Sequence, residues 1–168
     1  EQADAKYDQM VACTRKASIY MFTSRYLEAL DCYHKALALD QAAGEPPQFL
    51  SVRVRVKAEM AFLQVLCGQP ARGLDLAADA CRSSEMAFYP EGCLVAHAIS
   101  ALALYYLGRY SEVITLFNAN IDQALKMRKG RIAAYLYMSS ARASLMMGKI
   151  GDCLQYLHAS SEISRQIQ

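Results

Sequence analysis

The side chains with chemical reach in this sequence are six cysteines, three histidines and eleven tyrosines. The cysteines stand at 13, 32, 67, 81, 93 and 153, separated by gaps of 19, 35, 14, 12 and 60 residues. No CxxC pair occurs, so neither a zinc knuckle nor a thioredoxin-like motif is available. His34, His97 and His158 fall in separate segments with no second ligand at a chelating helical spacing. Cys32 and His34 are two residues apart and point to different sides of a helix. Cys93 and His97 do share a face, at i and i+4, and a thiol beside an imidazole is the raw material of nucleophilic catalysis. The run that holds them, Gly92 to Gly108, is uncharged and apolar, which predicts core packing instead. The glycines stand singly rather than in a phosphate-cradling loop. The expectation is therefore no metal, no cofactor and no enzyme. Most cysteines read as small hydrophobes in a reduced, cytoplasmic setting.

The totals narrow the partners. A net charge of +2, with acids and bases interleaved and no basic run, argues against direct nucleic-acid binding. The Gly92–Gly108 stretch falls short of the ~20 residues a membrane span needs, so a buried central helix is expected there. The chain is 54% hydrophobic and 20% charged, too apolar for disorder. It begins at Glu1 rather than methionine, which predicts either a segment of a longer protein or a processed chain.

The elements that must position these residues announce themselves by period. Gly68, Gly108 and Gly148 are 40 residues apart, each after an apolar run and before a second helical pattern. Ser24 takes the glycine's place in the first unit, and the Gly44-Glu45-Pro46-Pro47 connection carries four extra residues. Glycine ends a helix in the left-handed conformation, and the chain then reverses. Eight helices are predicted near 5–22, 25–43, 48–67, 70–87, 91–107, 111–129, 131–147 and 151–166. Pro70 opens one of them; Pro46, Pro47 and Pro90 read as connections.

The segment Tyr26-Leu27-Glu28-Ala29-Leu30-Asp31-Cys32-Tyr33-His34-Lys35-Ala36-Leu37 resembles the second helix of a tetratricopeptide repeat. Tyr26, Ala29, Tyr33 and Ala36 match that family's alternation of aromatic and small residues. Ala17, Ala61, Ala101 and Ala141 match its small residue in the first helix. The later units are degenerate, and the 40-residue period is similar to repeats of kinesin light chains and bacterial regulatory proteins. The resemblance implies an all-α fold, a right-handed superhelix (solenoid) of four antiparallel helix-turn-helix repeats. Residues 1–168 would form a single domain, with repeats at about 5–44, 48–88, 91–129 and 131–167.

It also implies a concave groove lined by the first helix of each pair. Carried over residue by residue, the groove takes Met21, Arg55, Phe62, Val65, Leu102, Tyr105, Tyr135, Met138 and Arg142. The chaperone-tail carboxylate clamp of some members is missing: its positions hold Thr14/Ser18, Ala58/Phe62, Ala98/Leu102 and Met138/Arg142. An apolar trough flanked by Arg55 and Arg142 would accept a partner protein's amphipathic helix or apolar peptide with acidic flanks. Alternatively, these residues pack on one another and close the groove. The function expected is a non-catalytic scaffold or regulatory module for protein–protein interaction. The other reading is a sensory domain that binds a small molecule or signalling peptide within a larger bacterial regulator. The last helix carries Cys153, Leu154, Tyr156, Leu157, Ile163 and Ile167, an apolar face that self-association or further chain would cover.

Overall fold

In the computed structural model, which describes residues 2–166, the described chain is helical throughout, with no strand. The helices are α1 (Gln2–Phe22), α2 (Tyr26–Ala42), α3 (Leu50–Leu66) and α4 (Pro70–Met86). They continue as α5 (Pro90–Tyr106), α6 (Tyr110–Lys126), α7 (Gly130–Met146) and α8 (Ile150–Gln166). The eight predicted helices are all present, within a few residues of their expected bounds. Pro90 differs: it is the first residue of α5 rather than part of a connection, a position where its missing N–H loses no hydrogen bond.

The spacing is tighter than the glycines alone reveal. From α2 onward every helix is 17 residues long, about 25 Å. From residue 68 the left-handed turn residues recur every 20 positions: Gly68, Phe88, Gly108, Arg128 and Gly148. Each turn closes with the same pair of bonds. The left-handed N–H reaches back three residues, and the next N–H reaches back five, as in Gln69→Gln64 (2.8 Å) and Tyr89→Ser84 (2.9 Å). Those bonds satisfy carbonyls that the helix end would otherwise orphan. Ser24 holds φ 59°, so it does stand in for glycine. Phe88 (φ 50°) and Arg128 (φ 54°) fill the alternate turns without being glycine.

The chain divides into two compact units, Glu1–Cys93 and Leu94–Gln168, with the division inside α5. In the first unit, Lys6 Nζ donates to the Ala42 carbonyl, joining the start of α1 to the end of α2. Lys57 of α3 pairs with Asp79 of α4 at 2.7 Å and with Ser83 at 3.2 Å, so this hairpin is antiparallel too. The core gathers Met10, Tyr33, Phe49, Val56, Met60 and Leu63 around Ala17, Ala29 and Ala36. In the second unit, Ser160 of α8 donates to the Ala134 carbonyl of α7 at 3.0 Å. Its core holds Leu94, Ala98, Phe117, Ile121 and Leu136, and Phe117 meets Tyr137 and Tyr156 at ring separations of 5.0 and 4.9 Å. The expected small residues Ala17, Ala61, Ala101 and Ala141 are all buried. The uncharged stretch from Gly92 lies largely in the interior, as Leu94, Ala96, Ile99, Ala101 and Leu104. No helix among the described residues is long and apolar enough to cross a membrane.

Two local devices hold the first unit. At Gly73, a methyl group would stand 2.5 Å from Val65 Cγ2 and 2.8 Å from the Ala61 carbonyl oxygen, so α4 lies on α3 at backbone distance. At the irregular connection after α2, the buried Asp40 carboxylate accepts from Arg53 Nε and, at 2.8 Å, from Arg53 Nη2. A carboxylate at a helix C-terminus opposes the helix dipole, and the bidentate guanidinium offsets that cost.

Cys81 and Cys93 are joined by a disulfide, whereas Cys13, Cys32, Cys67 and Cys153 are free. This corrects the expectation that this pair is reduced and only packs. The 12-residue separation spans the end of α4 and the start of α5, and the reversal between them brings the two Cα atoms within 4.4 Å.

Melting curves should separate these devices. Phe88 is 94% exposed, so Phe88→Gly loses no packing and relieves a left-handed non-glycine residue; a gain of up to about 1 kcal/mol is expected. Gly73→Ala should lose about 1–3 kcal/mol by overpacking. Asp40→Ala should lose about 3–5 kcal/mol by stranding Arg53, and Asp40→Leu with Arg53→Leu should recover most of it. A stabilised Gly73→Ala, or a harmless Asp40→Ala, would contradict these assignments.

Candidate interaction surface

The residues expected to line a groove in the first unit come from α1 and α3. Met21 and Phe62 are half-buried, and Arg55 has 60% of its side chain exposed. Val65 is only 4% exposed and belongs to the interior, so it offers a partner almost no surface. Arg55 is not a free cation. Its Nε donates to Glu59 Oε1 at 2.8 Å, one helical turn on, and its Nη2 reaches Ser18 Oγ on α1 at 3.5 Å. The other Glu59 oxygen accepts the hydroxyl of Tyr33, which is fully buried on α2. Burial first, and the Glu59 carboxylate second, hold the Tyr33 phenol far above its usual range. The network therefore links three helices and cancels the charge that sequence reading gave to Arg55. An i,i+4 Arg–Glu spacing was visible in the sequence and is the signal that could have found it.

In the second unit the expected residues come from α5 and α7. Leu102 is 4% exposed and packs in the interior, like Val65. Tyr105 is half-buried between Tyr106 and Tyr110, at ring separations of 5.4 and 5.8 Å. Helix α7 differs from α3. Tyr135, Met138, Arg142 and Leu145 follow one another at three- and four-residue steps and so share a face. Tyr135 is half-buried, Met138 is 36% exposed and Leu145 57%. Arg142 is exposed and makes no ion pair among the described residues; its charge acts on the Tyr135 phenol. Burial lifts that phenol to about 12, Arg142 pulls it down and Tyr106 pushes it up.

Of the remaining chemical candidates, Cys81, Cys93 and His97 are brought together, with their sulfur and ring-nitrogen atoms within 4.8 Å of one another. His97 Nδ1 lies 2.7 Å from the Asn120 side-chain oxygen, which fixes the proton on Nδ1, and Asn120 Nδ2 donates to the Leu116 carbonyl. Cys93 is held by Cys81. His34 is exposed on α2, and His158 faces Glu162 at 3.6 Å on exposed α8. On α8 itself Cys153 is buried and Tyr156 and Ile163 are half-buried, while Ile150, Leu154 and Leu157 stay exposed. Ile167 lies outside the described residues.

Tyr135 carries a pH signature. Its phenol titrates near 10 in an open chain and near 12 here, so the folded state holds the proton more tightly. That contribution is complete below pH 10 and is lost as pH rises through about 12. Tyr135→Phe should therefore flatten part of the decline in melting temperature between pH 10 and 12. An identical alkaline decline in wild type and variant would show that this phenol is not held in its neutral form by the fold.

No protein-family model matches this chain, and comparison with curated proteins finds none similar to it.

Proposed function

We propose that this chain is a non-catalytic protein-interaction module of tetratricopeptide type. Its first-helix faces receive a partner's amphipathic helix or extended apolar peptide. The observation that carries this reading is the face of α7. Tyr135, Met138 and Leu145 give a partner apolar surface, and Arg142 beside them is an exposed guanidinium without an ion-pair partner among the described residues. Aromatic, methionine and arginine side chains are the types enriched where proteins meet. A partner with a carboxylate beside its apolar stripe would fill that position. Arg55, already satisfied by Glu59, supports orientation far less. The buried alanines at 17, 61, 101 and 141 support the repeat-family reading.

Selection from a displayed library of random peptides tests this directly. Wild-type protein should enrich apolar sequences flanked by Asp or Glu. Met138→Ala should weaken the selected peptides by about 2 kcal/mol, roughly thirtyfold in Kd. Arg142→Glu should shift the flanking preference to Lys or Arg, while Arg55→Met changes it little. Peptides without acidic bias, or with equal affinity for the Arg142→Glu protein, would refute the proposal.

A further inference from the structure

The turn between α4 and α5 combines features found at no other described turn. Cys81, on the penultimate turn of α4, and Cys93, near the start of α5, close a disulfide ring around it. Inside the ring lie Met86, Phe88 and Tyr89, with Met86 82% and Phe88 94% exposed. Phe88 is also the left-handed residue of the turn. A fully exposed phenylalanine in that conformation gains nothing from packing, so what surrounds it must hold it.

The two sulfurs are not equivalent. Cys81 is buried, and its Sγ stands 3.9 Å from Glu85 Oε1, whose charge opposes a thiolate there. Cys93 is half-buried and lies one turn into a 17-residue helix, where the dipole favours negative sulfur. Cys93 is thus the more accessible sulfur and the one better suited to carry charge.

From this asymmetry we infer that Cys81 and Cys93 form a thiol–disulfide exchange site, which small disulfides close and small thiols open, and whose closure fixes the Met86–Phe88–Tyr89 tip. In the closing direction, the Cys93 thiolate attacks one sulfur of a low-molecular-weight disulfide such as glutathione disulfide. The small S–S bond breaks, and one small thiolate leaves and takes up the proton that Cys93 released. Cys81 then loses its proton, and its sulfur attacks Cys93 Sγ and displaces the second small thiol. Two protein thiols are oxidised by two electrons, and one small disulfide is reduced to two thiols. Closing the ring removes conformations from the tip, so the oxidised tip is the ordered one. This inference is independent of the docking face on α7.

The test uses the whole chain, equilibrated in buffers of increasing glutathione disulfide to glutathione ratio, quenched with N-ethylmaleimide and mapped by mass spectrometry. The Cys81–Cys93 link should rise with the ratio, while Cys13, Cys32, Cys67 and Cys153 remain mostly alkylated. In Cys81→Ser the glutathione adduct should accumulate on Cys93; in Cys93→Ser, Cys81 should remain unmodified. Chymotrypsin should cut after Phe88 severalfold more slowly in oxidised wild type than in reduced, and at one rate in both states of Cys81→Ser. Circular dichroism confirms that each variant is folded, and the wild-type titration needs no variant at all. A pair that stays dithiol at every ratio overturns the inference. So does glutathione adding to Cys13 or Cys67 as readily as to Cys93. Equal cutting at Phe88 with the link formed would overturn the fixing of the tip.

Discussion

Apart from the connection between α2 and α3, successive helices are joined by the same reversal, and the fold depends on it. A left-handed residue ends one helix, its N–H and the next close back onto the last turn, and a new helix starts two residues later. The geometry leaves no slack. With turn residues at 68, 88, 108, 128 and 148, each helix between them is held to 17 residues. On the α3–α4 hairpin, whose arms are equal, Gly73 stands at backbone distance from Ala61 and against the Val65 side chain. None of the helix starts from α2 through α4, or of α6 and α7, is capped by a side chain, so the backbone bonds of the preceding turn carry the ordering.

Where the period slips, a different interaction takes over. Between α2 and α3 the chain needs Gly44, Glu45 and a single 3₁₀ turn at Pro47–Phe49 before the helix resumes. The longer connection loses the short turn's constraint, and the buried Asp40–Arg53 pair spans it instead, with Glu45 at 3.8 Å on its outer side. A buried ion pair is a costly device, and it is found at the one connection here that the 20-residue spacing does not fix.

The sequence disclosed where the turns lie, and hid only that Phe88 and Arg128 take the left-handed conformation there. Gly68, Gly108 and Gly148 made four hairpins legible, and helix bounds followed within a few residues. Phe88 and Arg128 occupy the same conformation, but neither residue type advertises it, because bonds on both sides impose the backbone angle rather than the side chain. The core alanines were readable from spacing. Burial along the first helices was not: Phe62 and Val65, or Leu102 and Tyr105, are three residues apart on one face, yet Val65 and Leu102 lie inside. Which residue of such a pair is covered depends on the tilt of neighbouring helices, which one chain's pattern does not encode. The disulfide escaped for a related reason. A spacing of 12 matches no thiol motif until a reversal at Phe88 folds it in half.

The contrast between α3 and α7 shows how neighbours decide what an arginine on a first helix does. Arg55 stands in the first half of α3 and Arg142 in the second half of α7, at different levels of the repeat. Arg55 has a glutamate one turn later and a buried tyrosine hydroxyl behind it, so its charge is consumed in joining α1, α2 and α3. The residue one turn after Arg142 is Met146, which is apolar and 54% exposed, and no acid on α7 answers the guanidinium. A cation so placed keeps its full hydration when alone and has most to gain from a carboxylate brought by another molecule. The two arginines thus differ by what stands one turn on. With an acid there, as at Glu59, the guanidinium is spent inside the fold; with an apolar residue there, as at Met146, it stays open to a carboxylate from outside.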